Sequence, residues 1–375
     1  MNFWQKLARR KGKGSMKEPI LALAPMADVT DAAFRRIIAK YGKPDVIFNE
    51  FVSCDGLCSD GKKKLLPFLK YTEKERPIVA QVFGATPENF YKTARLIKKL
   101  GFDGIDINMG CPDKKIQKQG AGAALIKNPK LAQEIILQTK KAAGTRLSGG
   151  QAREIPVSVK TRIGYDKYDK KEFKEWLIAL LECKPAAITI HGRTKKEMSL
   201  VPANWEIIGE AVKTRDKFDP SKNTLIFGNG DVKTVAEAYE KAERYGVDGV
   251  MIGRGVFGKP WLFASREKSW ETRGQVNILR RVGAHPVSGK GEARKILTCP
   301  EENFETAKKL SVLMEHAKLF EKINHGQKFD VMKKHFKAYV SGFDRVKELR
   351  VKLMSAKNAQ EVEKILKKII NDSKK

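Results

Sequence analysis

A chain of 375 residues, 41% of them hydrophobic, has room for one large domain and a smaller one and can bury a sizeable core. Its 74 Lys+Arg against 44 Asp+Glu leave a net charge of +30, which points to a polyanionic partner, nucleic acid first and an anionic membrane surface second. Five cysteines argue against a disulfide framework and for a reducing cytoplasm, and no apolar run approaches the ~20 residues of a membrane span.

Residues 1–18 carry Lys6, Arg9, Arg10, Lys11, Lys13 and Lys17 with no hydrophobic signal core behind them, and read as a basic N-terminal arm. From 20 to 262 short apolar segments alternate with amphipathic ones. Strands are expected at 20–24, 45–51, 78–83, 104–108, 157–161, 186–191, 224–228 and 249–253. Most are nearly continuous apolar runs, as suits parallel strands covered on both faces. Helices are expected at 31–40, 87–100, 129–142, 171–181, 203–213 and 233–245. This alternation predicts a TIM (β/α)8 barrel over 19–264. Polar residues at successive strand ends count against the competing open sheet. Two polar stretches break the rhythm: 144–154, with Gly149-Gly150, and 265–300, which reads as an insertion or linker. Helical spacing returns at 304–320, 331–340, 345–354 and 359–370, so a small C-terminal helical domain is expected over 301–375.

A barrel of this kind builds its site at the C-terminal ends of the strands. Read in order, those ends carry Pro25, Met26 and Ala27; Asn49 and Glu50; Gln81; Asn108 and Cys111; Lys160 and Arg162; His191 and Arg193; Asn229 and Asp231; Gly253 and Arg254. So many polar groups are costly to bury without partners, which favours a polar, partly anionic ligand. Gly228-Asn229-Gly230-Asp231 and Gly253-Arg254-Gly255 are glycine turns after the last two strands. They fit a phosphate site made of backbone N–H groups and a helix N-terminus. Asp231 fits a plain helix N-cap as well.

Asn108-Met109-Gly110-Cys111-Pro112 puts a thiol on the turn leaving a strand. On that ground alone the cysteine suits packing as well as catalysis. The following run Gly120-Ala121-Gly122-Ala123-Ala124 lets a ligand or another backbone approach closely. Cys54 and Cys58 lie four apart with no second Cys/His pair at ligand spacing, so no metal is expected.

Taken together, Pro25-Met26-Ala27-Asp28-Val29-Thr30-Asp31, the Asn-Met-Gly-Cys-Pro run, Val159-Lys160-Thr161-Arg162, His191-Gly192-Arg193-Thr194 and the two glycine turns stand in the order found in tRNA-dihydrouridine synthases. The chain resembles that family strongly over 20–262 and more weakly beyond, where Lys333-Lys334-His335 is similar to the family's Arg-Lys-His. The resemblance implies FMN as cofactor, NADPH as reductant and a tRNA uridine as substrate. It implies that Pro25, Met26 and Ala27 line the flavin, and that Gln81, Lys160 and His191 meet its ring or ribityl chain. Asn229, Gly230, Asp231, Gly253 and Arg254 would hold its phosphate. Asn108, Arg162 and Arg193 would meet the target nucleotide. Ser199 and Val201 depart from the family, many of whose members carry an aromatic residue and a glycine there.

Reducing the uracil C5–C6 bond requires a hydride at C6, which the flavin would supply, and a proton at C5, which the resemblance assigns to Cys111. A free thiol, with an ordinary pKa of about 8.5, is largely protonated at neutral pH, so a donor cysteine needs no activating histidine and none is expected. Lys160 and His191 would stabilise negative charge on the reduced ring. A base inside folded tRNA must be turned out of its stack. The basic arm and the helical domain, with Lys333, Lys334, Lys337, Arg345 and Arg350, would grip the RNA backbone in a salt-sensitive way. The expected enzyme is a cytoplasmic monomer. Two other functions are weighed against it. Activity on a free pyrimidine, akin to dihydroorotate dehydrogenases, is disfavoured by the charge and the helical appendage. An RNA chaperone without catalysis is disfavoured by Cys111 and the complete phosphate site.

Overall fold

The computed structural model of the chain describes residues 1–11, 18–144, 154–266, 300–323, 328–341 and 346–372. Lys13, Lys17, most of the 144–154 loop, all but the ends of the 265–300 insertion, and Arg345 lie outside the described residues.

The strands, all parallel, are β1 (Ile20–Leu23), β2 (Val46–Phe48), β3 (Val52–Ser53), β4 (Ile78–Phe83), β5 (Gly104–Met109), β6 (Val157–Arg162), β7 (Ala187–His191), β8 (Leu225–Asn229) and β9 (Gly249–Ile252). β1 pairs with β2 on one side and β9 on the other, β2 pairs with β4, and the rest follow in order, closing an eight-stranded barrel. The expected fold is therefore present. Of the strand expected at 45–51 only β2 forms, and β3 lies just beyond that range. The run breaks where Asn49 Oδ1 accepts from Gln81 N at 2.7 Å and Glu50 Oε1 accepts from Asp28 N at 2.5 Å. Both polar side chains hold backbone outside the ladder, and pairing resumes only at Val52.

Among the described residues, helices of eight residues or more are α1 (Phe3–Lys11), α2 (Ala32–Tyr41), α3 (Pro87–Lys99), α4 (Pro129–Gly144), α5 (Lys170–Glu182), α6 (Trp205–Phe218), α7 (Val235–Tyr245), α8 (Pro300–Ile323), α9 (Met332–Tyr339), α10 (Val346–Ser355) and α11 (Ala359–Asp372). Their ends follow local chemistry. Pro87 occupies the first turn of α3, where a missing N–H is harmless. Gly246, at φ 70°, stops α7. Among the described residues no helix is long and apolar enough to cross a membrane.

The chain forms two compact units, Met1–Thr30 with Pro44–Gly255, and Asp31–Lys43 with Val256–Lys375. In the first, alternate strand residues point into the barrel. Ile20, Ala22, Val46, Phe48, Val79, Ala187, Leu225, Phe227 and Met251 make an apolar cluster there, joined by Trp4. The segment expected as a basic arm is thus, over Phe3–Lys11, a helix that packs Trp4 into this cluster with Phe3, Leu7 and Ala8 beside it. Lys6, Arg9 and Arg10 remain exposed on its other side.

In the second unit, Ala33 and Ile37 of α2 share a core with Leu313, Phe320, Phe336, Tyr339, Leu349 and Val362. α2 belongs to the helical cluster because its buried face meets these side chains. Arg350, expected to grip a partner, instead donates Nε to Val340 O at 2.8 Å and Nη2 to Lys337 O at 3.3 Å, closing the end of α9. Lys333 pairs with Asp330 at 2.6 Å, while Lys334 and Lys337 are exposed.

Candidate active site

Parallel register stacks the inward side chains in rows above the apolar layer. Gln81 lies opposite Asp106, which lies opposite Ser158. In the next row Asn108 faces Lys160, which faces Thr189. Above that, Arg162 faces His191, which faces Asn229. Neighbouring strands stand only ~4.8 Å apart, so these groups must satisfy one another or a ligand. Gln81 Nε2 donates to Asp106 Oδ2 at 2.7 Å, Ser158 Oγ donates to Asp106 Oδ1 at 2.6 Å, and Asn108 Nδ2 donates to Gln81 Oε1 at 3.0 Å. Burial pushes Asp106 up to about 6, against the pull of those bonds and of Lys160. Burial and then the charge of Arg162 bring Lys160 down to about 8. His191 is held neutral, far below its ordinary value, by burial first and then by Lys160, Arg162, Arg193 and Arg254. Its Nδ1 is buried with no hydrogen-bond partner among the described residues.

Asp106 and Ser158 were absent from the expected site. The available signal was period two within a strand: a carboxylate two residues before Asn108, and a serine two before Lys160.

Cys111 leaves β5 on a turn that the neighbouring side chains fix. Asn108 Oδ1 accepts from Gly110 N at 3.1 Å and Cys111 N at 2.9 Å. Arg162 donates Nε to Gly110 O at 2.7 Å and Nη1 to Thr194 O at 2.9 Å. From the other side Ala123 N donates to Cys111 O at 3.1 Å. Gly122 has φ +62°, and a Cβ there would lie 3.0 Å from Cys111 O, so the glycine run serves the backbone of the cysteine turn. Cys111 itself is half-buried. Burial raises its thiol above the ordinary value, outweighing the Asp113 N–H and the charges of Arg162 and Lys160, so the sulfur is protonated at neutral pH. Among the described residues no histidine hydrogen-bonds to it.

At the opposite side of the mouth, Gly230 has φ +128° and a Cβ there would sit 2.5 Å from Ala203 Cβ, so only glycine fits this turn. Asp231 accepts from Arg193 Nη2 at 2.5 Å, Ala203 N at 2.8 Å and Arg254 Nη2 at 3.2 Å. Burial works to raise this carboxyl, but those N–H donors and the two guanidinium charges prevail and hold it below its ordinary value. Its side chain is the counter-charge of two arginines, neither a simple N-cap nor an anion ligand. Arg254, in the turn Arg254–Val256, stays largely exposed. Asn229 Nδ2 donates to Met251 O at 2.8 Å, tying the last two strand ends. Met26 Sδ lies 3.4 Å from the position a Cβ on Gly253 would take, so the first and last strand ends meet. Pro25 and Met26 are half-buried and Ala27 is exposed.

The expected site residues therefore converge on one end of the barrel. Two sit differently from expectation. Asn108 is 7% exposed and both ends of its amide bind protein, so it positions the Cys111 turn. Arg193 is 3% exposed and is bound to Asp231 and Val201 O, with Nη1 buried and unpartnered among the described residues. Arg162 stands between Cys111 and His191 and is half-buried.

A family model described as dihydrouridine synthase matches residues 22–374. The probable tRNA-dihydrouridine synthase 2 of Bacillus subtilis is 38% identical over 367 residues, covering 97% of this chain and 95% of that protein. The probable tRNA-dihydrouridine synthase of Staphylococcus aureus (strain COL) is 37% identical over 369 residues, covering 97% of this chain and 94% of that protein. Its counterpart in Staphylococcus epidermidis (strain ATCC 35984) is 36% identical over 369 residues, covering 97% and 95%.

Proposed function

The chain belongs to the dihydrouridine synthase family, and on that premise we propose that it reduces specific uridines of tRNA to 5,6-dihydrouridine, with FMN as its flavin and NADPH as reductant. The observation that carries this reading is a protonated thiol, Cys111, on a braced turn beside a ring of cationic groups at the barrel mouth. The setting of the enzyme would be the cytoplasm, where a reduced thiol persists.

The residues at the mouth suit a flavin mononucleotide. His191 Nδ1 and Arg193 Nη1 are buried polar atoms that lack protein partners among the described residues. Lys160, Arg162, Arg193 and Arg254 surround His191 closely enough to disfavour its charging, so the end favours an anion. Arg254 and the backbone of Asn229, Gly230, Asp231 and Gly253 would hold the phosphate, and the carboxylate of Asp231 would keep Arg254 aimed. Gln81, Lys160 and His191 would meet the ring and ribityl chain, with Pro25, Met26 and Ala27 against one side. Bound there, the flavin supplies the hydride that uracil C6 requires and no side chain can provide.

The chain's own residues do the rest. Cys111 Sγ gives its proton to C5, and its raised pKa keeps that proton available at neutral pH. Lys160, still mostly protonated at pH 7 with its value near 8, stabilises negative charge as it develops. Asn108 and Arg162 hold the turn so that Sγ stays at one height above the barrel. The test is mass-spectrometric mapping of tRNA lacking the modification after incubation with the purified protein and NADPH. Particular uridines are expected to gain two hydrogens. A flavin-loaded protein that leaves tRNA unchanged would overturn the reading, and reduction of free uracil instead would favour a small-molecule enzyme.

A further inference from the structure

The helical unit holds a second cluster that the proposed chemistry leaves without a role. Asp31 caps the N-terminus of α2, His316 lies on α8 and His335 on α9. All three are buried, and one ligand atom of each lies within 4.8 Å of the others. Oδ1 of Asp31 accepts from Ala33 N at 2.7 Å and Phe34 N at 3.0 Å, which fixes the orientation of the carboxylate. The two imidazoles meet edge to face, with centroids 4.5 Å apart. Phe34 packs on both, 5.4 Å from His316 and 4.6 Å from His335.

Both nitrogens of His316, and Nε2 of His335, are buried without a hydrogen-bond partner among the described residues. A neutral imidazole has one donor and one acceptor, and each such group left unpaired in the interior is costly. Tyr339 sets its ring 6.1 Å from His316, and its hydroxyl is likewise buried and unpartnered. Three convergent ligand atoms lined by orphaned nitrogens, inside a shell of aromatic rings, suit a buried cation. Burial also keeps both rings neutral, the form that binds metal.

We propose that Asp31, His316 and His335 bind one divalent transition-metal ion, with zinc the best fit to two imidazoles and a carboxylate. Bonds of about 2.0–2.2 Å would bring the ligand atoms to roughly 3.4 Å from one another, a contraction that side-chain rotation supplies. The fourth position would go to the Tyr339 hydroxyl or to water. The site is sealed, so the ion is structural: it ties the start of α2 to α8 and α9. It also departs from the sequence expectation of no metal, which rested on the lack of a second Cys/His pair at ligand spacing. The proposal stands or falls separately from the flavin chemistry.

The test uses the full chain purified without chelator. Elemental analysis should find close to one zinc per chain. Removal by chelator should lower the Tm and zinc addition restore it, and cobalt(II) in its place should give the visible bands of a low-coordinate site. Asp31→Asn keeps the helix cap, since Asn caps as well as Asp, but removes the anionic ligand. It should weaken zinc at least about 100-fold in a chelator competition while leaving the helix content unchanged. His316→Gln should do the same. Metal-free full-length protein that takes up no more zinc than the two variants, at an unchanged Tm, would overturn the proposal and leave the three side chains as a buried polar cluster without an ion.

Discussion

Asp106 sits in an environment that a carboxylate does not prefer. It is fully buried in β5, reached by Gln81 and Ser158, and its carboxyl is pushed up to about 6. Between pH ~4 and 6 the folded chain therefore holds a proton there that the unfolded chain has released, so stability from this group falls as pH rises. The difference of roughly two units corresponds to about 3 kcal/mol. Asp106→Asn keeps an acceptor for Gln81 Nε2 and offers an N–H to the Ser158 hydroxyl. Urea unfolding of flavin-free protein across that window should show the wild type losing about 3 kcal/mol relative to the variant; parallel curves would mean the carboxyl ionises normally. Much of the site was legible residue by residue because strand ends carry the side chains that face the mouth. Asp106 was not, since it lies inside the strand and only period-two reading exposes it. The protein partners of Asn108 and Arg193 were also hidden. A sequence names a polar group but not whether its hydrogen bonds go to a ligand or, as here, to Cys111 N and Asp231.

At the scale of elements, hydrophobic pattern gave the barrel strands their locations because parallel strands are apolar on both faces. The split of β2 from β3 escaped it, since Asn49 and Glu50 interrupt pairing through side-chain bonds to distant backbone. Helix α1 escaped it too. Its cations dominate the composition of the first residues, yet Phe3, Trp4, Leu7 and Ala8 form a short helical stripe that seals against the barrel's apolar layer. Trp4 is 1% exposed, with its ring centroid 5.3 Å from Phe227 and 6.2 Å from Phe48. Trp4→Ala should cost about 3–5 kcal/mol in urea unfolding, a core-cavity effect. A loss below about 1 kcal/mol would show that the helix is not held there. The allegiance of α2 was illegible for a simpler reason: an amphipathic pattern says that one face is covered but not by what.

Across the whole molecule, polarity runs along the barrel axis, from the apolar layer around Trp4 to the layer of Lys160, Arg162 and His191. The order of motifs along the chain made that end legible, because each marks one strand end of a known barrel. Asp31, His316 and His335 carry no such spacing signal; only folding brings them together. The net charge of +30 agrees with an RNA substrate, although Arg35, Arg193 and Arg215 are buried and unavailable to it. The proposed protonation of a uracil ring by Cys111 at this mouth is tested most directly in a single turnover. Wild-type and Cys111→Ala protein, each fully reduced by NADPH without oxygen, are mixed with unmodified tRNA, and dihydrouridine is followed in time. Loss of the proton donor predicts formation slowed by about 10²–10⁴-fold, with reduction of the flavin by NADPH and tRNA affinity unchanged. Dihydrouridine appearing at the wild-type rate would contradict it.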